Sequence, residues 1–101
     1  MTAYNTYDIG DMVRVSAAFL DSSDLAADPT GVVASYRNPS SGVVTTLTYG
    51  VDVEVVKDSI GNYHVDITTA AHGRYTYKWV GTGAVAATVE GFFHVRESNV
   101  L

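Results

Sequence analysis

Apolar and polar residues alternate with a period of two in seven short stretches of this chain, the spacing that turns one face of a β-strand toward a core and the other toward water. Met12 to Leu20 sets Val13, Val15, Ala17 and Phe19 on one side, with Arg14 and Ser16 on the other. Val32 to Arg37 is predicted as the second strand, and Val43 to Tyr49 as the third, with Val43, Thr45, Leu47 and Tyr49 together. A short strand, Val53 to Lys57, closes at Asp58-Ser59-Ile60-Gly61; Asn62 to Thr68 then turns Tyr63, Val65 and Ile67 inward and His64 and Asp66 outward. Arg74 to Val80, entered through Gly73, places Tyr75, Tyr77 and Trp79 on one face. Val85 to Arg96 ends the series, with Ala87, Val89, Phe93 and Val95 on its apolar side. The punctuation is that of turns, as in Asn38-Pro39-Ser40-Ser41-Gly42 and the expected hairpin turn Gly81-Thr82-Gly83. No long helical period occurs, so the pattern predicts an all-β antiparallel sandwich or small barrel of seven strands. Its expected core is Phe19, Tyr63, Tyr75, Tyr77, Trp79 and Phe93.

A chain of 101 residues is long enough to form one domain that buries roughly two-thirds of its unfolded surface without a metal or disulfide. There is no cysteine, so a disulfide is excluded. The domain is expected over residues 11–97, flanked by an N-terminal arm at 1–10 and a tail at 98–101. Tyr4 and Tyr7 in the arm, and Val100 and Leu101 in the tail, are candidate docking side chains. Phe92 joins them because its parity opposes that of the core residue Phe93, and Val80, opposite in parity to Trp79, extends the same patch. The net charge of −5 and the scattering of six basic residues without a run argue against nucleic acid or an anionic membrane as partner. Neither a signal peptide nor a membrane-spanning helix is expected, because Arg14 interrupts the apolar stretch from Met12 to Leu20.

Candidate chemistry is sparse. His64, His72 and His94 are the neutral-pH acid/base candidates, two on outward strand faces and one before a turn glycine. An enzyme would need His64 or His94 brought together with Asp66 and a hydroxyl, and no nucleophile elbow or metal-ligand spacing points to that. No catalytic residue, metal or cofactor is therefore assigned. Asp21, Asp24 and Asp28 share one loop and have the oxygen chemistry of a calcium site, but lack EF-hand spacing; a solvated Asx turn is the expected reading.

Gly73-Arg74-Tyr75-Thr76-Tyr77 resembles the late strand of immunoglobulin-type domains, where a tyrosine hydroxyl ties down the corner before it. The resemblance implies a disulfide-free immunoglobulin-like or fibronectin type III-like sandwich, with Tyr75 as the corner residue and Tyr77 where antibody domains carry cysteine. Between about residues 8 and 97 the chain is also similar to small structural proteins of tailed bacteriophages. The residues that carry this likeness are Asp8-Ile9-Gly10-Asp11-Met12-Val13-Arg14-Val15-Ser16, the stretch Tyr36 to Thr46, Tyr75 to Ala84 and Glu90-Gly91-Phe92-Phe93-His94-Val95-Arg96. It implies a non-enzymatic virion protein, assembled in the host cytoplasm, that decorates the capsid in many copies by docking on coat subunits. The alternatives are a neck or tail accessory protein, and a carbohydrate-binding or adhesion module using exposed aromatic residues.

Overall fold

The computed structural model describes residues 6–83 and 85–96. Among the described residues eight strands form, in the order β1 (Thr6–Asp8), β2 (Met12–Ala18), β3 (Gly31–Arg37), β4 (Val44–Thr48), β5 (Val56–Ser59), β6 (Asn62–Thr68), β7 (Gly73–Thr82) and β8 (Ala87–Arg96). They make two sheets, a five-stranded one ordered β1-β8-β7-β3-β4 and a three-stranded one ordered β2-β6-β5. The chain is thus all-β, in a two-sheet arrangement compatible with a sandwich. No described helix is long and apolar enough to cross a membrane.

The core forms where the alternating faces meet. Along β2 every second residue is buried, so Val13, Val15 and Ala17 face inward and continue into Phe19. Tyr63, Val65 and Ile67 of β6 lie beside them in register, opposite Val32 and Ala34 of β3, Tyr75 and Trp79 of β7, and Phe93 and Val95 of β8. Aromatic rings pack within each sheet, where Tyr75 stacks on Phe93 at 5.0 Å between centroids and Phe19 meets Tyr63 edge-on at 5.8 Å, and Tyr49, just after β4, meets Tyr63 of the other sheet at 5.3 Å. Such pairs add about 0.5–1.5 kcal/mol beyond the area they bury.

Three expectations are corrected. The strand count is eight rather than seven, because Thr6–Asp8, expected within a free arm, pairs in parallel with β8. That pair also breaks the purely antiparallel pattern. The strand expected at Val53 to Lys57 begins only at Val56 and runs into residues expected to turn. Its displacement has a local cause: the amides of Val51 and Asp52 donate to the Thr48 carbonyl, the Asp52 carboxylate accepts from the Thr48 amide, and Val55 donates to the Asp52 carbonyl. These bonds hold the chain in turns, and they leave Val53 at 90% exposure. Finally, His64 is not outward in the sense of solvated; only 7% of it is exposed.

Two polar clasps position the sheets. Where the chain crosses from β1 to β2, the Thr69 hydroxyl accepts from the Gly10 amide and shares its proton between the carbonyls of Asp8 and Asp11, at 3.1 and 2.9 Å. On the loop between β2 and β3, the Asp28 carboxylate accepts from the Gly61 amide at 2.7 Å, the Tyr63 hydroxyl at 3.0 Å and the Lys57 ammonium at 2.6 Å. Gly61 is required there twice over. Its φ of +77° is left-handed, and a Cβ would stand 2.6 Å from the Phe19 carbonyl oxygen.

Candidate functional site

The outer face of the five-stranded sheet carries the one exposed phenylalanine among the described residues. Register pairs across it are Arg74 with His94, Thr76 with Phe92, Lys78 with Glu90 and Val80 with Thr88. Phe92 is 49% exposed, an unusual placement for a residue whose burial is worth about 1.5–3 kcal/mol. The Arg74 guanidinium lies over the ring, 4.7 Å from its centroid, so the cation covers one aromatic face. A shallow hollow beside the ring is lined by Arg74, Thr76, Glu90 and Gly91. The arrangement is an apolar centre inside a rim of charges of both signs, which is how protein interfaces are built.

The other expected docking residues fare differently. Val80 lies on this same face and is half-buried. β1 brings Tyr7 against the core, where it is half-buried and edge-on to Phe93 at 5.6 Å. Tyr4, Val100 and Leu101 lie outside the described residues. Of the expected core, Phe19, Tyr63, Tyr75, Trp79 and Phe93 are buried. Tyr77 departs from them and is only half-buried; its ring crosses over Gly91, its register partner, where a Cβ would collide with the phenol. The Tyr75 hydroxyl accepts from the Ala70 amide at 3.1 Å, tying the strand to the corner before it.

Two of the acid/base candidates, His64 and Asp66, are engaged in structure. Asp66 pairs with Arg14 at 2.9 Å rather than with a histidine, and that pairing holds its carboxyl below the usual range. His64 Nδ1 lies 2.7 and 2.8 Å from the two carboxylate oxygens of Asp58, a partner from β5 that parity alone does not indicate. Ser16 stands opposite His64 in register, yet no hydrogen bond joins the two among the described residues. His72 and His94 are exposed.

The aspartate loop is divided between two jobs. Asp21 accepts from the amides of Ser23 and Leu25 in an Asx turn, while Asp28 belongs to the clasp with Lys57, Gly61 and Tyr63. The Lys57 bond, followed by the Gly61 amide, lowers the Asp28 pKa; burial first, then the Asp28 carboxylate, push Tyr63 up to about 12. Among the described residues no group of three or more histidine, aspartate or glutamate side chains is gathered as a metal site would require. Comparison of the chain with protein families, curated proteins and solved structures finds no match.

Proposed function

We propose that this protein is a non-enzymatic, immunoglobulin-like structural component of a tailed-phage particle, docking on coat subunits through the outer face of its five-stranded sheet. The observation that carries the docking part is Phe92, half-exposed under the Arg74 guanidinium at the centre of a charged rim. An aromatic anchor beside an arginine is the composition found where binding energy concentrates. The phage setting rests on the likeness of the strand and turn segments given above. The immunoglobulin-like reading is supported by the strand distribution, with β2, β5 and β6 in one sheet and β3, β4, β7 and β8 in the other, and by the Tyr75 hydroxyl bond to the Ala70 amide.

Repetition on a symmetric lattice multiplies a weak single contact into stable decoration. A glycan-binding module is disfavoured because two members of its aromatic platform, Tyr75 and Trp79, are buried at 1% and 0% exposure. The test is purification of intact particles with quantitation of this chain. Copies on the order of hundreds per particle support decoration, about a dozen or fewer place it at the neck or tail tip, and absence from particles ends the reading. Phe92→Asp should leave the fold intact and abolish incorporation.

A further inference from the structure

A sheet edge is a row of unpaired amides and carbonyls, and soluble proteins protect such edges with charges, brevity, bulges or proline. The two sheets end in four edge strands, β1, β4, β2 and β5. Three are guarded. β1 has only three residues and carries Asp8, which is ion-paired to Arg96; β2 carries Arg14; and β5 carries Lys57 and Asp58 and joins β6 through a register shift. The fourth, β4, has none of these defences. From Val43 to Val51 the chain holds no charged residue and no proline, and Val43 and Val44 are 61% and 58% exposed.

The ladder shows which β4 groups are available. Tyr49 donates to Val32, and Asn38 donates to the Val43 carbonyl, so the odd-numbered residues of β4 face β3 and the even-numbered ones face away. At the far end Thr48 is already satisfied, its amide by Asp52 and its carbonyl by the amides of Val51 and Asp52. At the near end the Gly42 amide is bound to the Asn38 carbonyl. Among the described residues the open edge is therefore the amides and carbonyls of Val44 and Thr46.

We infer that this edge pairs with β4 of a second copy of the chain, antiparallel about a two-fold axis at Thr45. In that register Val44 of each copy faces Thr46 of the other, and the four hydrogen bonds exchanged use every open group on both strands. On the opposite face Thr45 meets Thr45, and Leu47 meets Val43, which is the Thr–Thr and aliphatic pairing that stabilises neighbouring strands. No like charges are brought together along the strand, although each copy carries −5 overall. A long foreign strand fits less well, because it would run past the open residues onto groups that Asp52 and the Asn38 turn already occupy. The two five-stranded sheets become one of ten, and the strand that carries Phe92, β8, takes no part in the new pairing.

Sedimentation equilibrium tests this with the full chain. The wild type should show a concentration-dependent dimer. Thr46→Pro, which deletes an outward amide that β3 does not use, should weaken it roughly ten-fold or more, since the dimer loses two bonds. Val44→Lys and Thr46→Glu form the decisive pair: each alone should weaken self-association, and their equimolar mixture should restore a heterodimer, because only this register sets Lys against Glu. Near-UV circular dichroism establishes that each variant is folded. A wild type that stays monomeric at all concentrations, a dimer indifferent to Val44→Lys, or a mixture without rescue would overturn the inference. Phe92→Asp should leave the dimer unchanged, so failure here and failure of particle docking are read separately.

Discussion

Thr69 is the residue whose role is least visible in its neighbourhood. Buried to 2% exposure, it receives the Gly10 amide and bonds the carbonyls of Asp8 and Asp11, 61 and 58 residues earlier in the chain, holding the turn where the chain passes from one sheet to the other. Thr69→Val, similar in shape, should cost roughly 1–3 kcal/mol in urea unfolding, because it strands buried polar groups rather than removing volume. Gly61→Ala should cost more than about 1 kcal/mol, since its φ is left-handed and Phe19 and Ala27 backbone atoms crowd the added methyl. The buried indole N–H of Trp79 has no acceptor among the described residues. Trp79→Phe should therefore be much milder than Trp79→Ala, for which roughly 3–5 kcal/mol is expected from the cavity. Period-two spacing revealed that Trp79 and Tyr75 face inward, but it is blind to Thr69 and to the Asp58 partner of His64. Those partners lie on other strands, and nothing in local alternation encodes them.

Among the strands, β2 and β7 follow the alternation closely, and β6 does so except at His64, which is buried. β4 keeps it from Val44 to Leu47, whereas β5 does not, since the turns around Thr48 and Asp52 intervene and displace it. β1 escaped prediction because three residues are too few to show a period. The bond from Ala70 to Tyr75 was legible, because glycine followed two residues later by tyrosine at a strand start is a local pattern. Tyr75→Phe should lower the unfolding free energy by about 1 kcal/mol without altering the strand, checked by denaturant midpoint at unchanged slope.

For the whole molecule, pH response follows from the ion pairs. Arg96 lowers the Asp8 pKa, Arg14 that of Asp66, and Lys57 with the Gly61 amide that of Asp28. Each carboxyl binds its proton less readily folded than unfolded, so its stabilisation is full above the unfolded value of about 3.9 and is lost as pH falls through the lower folded value. Asp28→Asn should make the acid loss shallower while lowering the melting temperature at neutral pH. At the other extreme Tyr63 is raised to about 12, so its contribution is present below about 10 and disappears as pH climbs toward 12. A tyrosinate absorbance step near pH 12 that moves down in Asp28→Asn checks this. By itself the sequence determined the all-β class, the absence of disulfides and most of the core, because those depend on residue type and on a period of two along one strand. Only the tertiary structure decided that Thr6–Asp8 is a strand, that Tyr7 packs against the core, that His64 is covered by Asp58 and that, among the described strands, β4 alone presents an uncharged edge. Each of these depends on which strands become neighbours, and that is set by contacts between residues far apart in the chain.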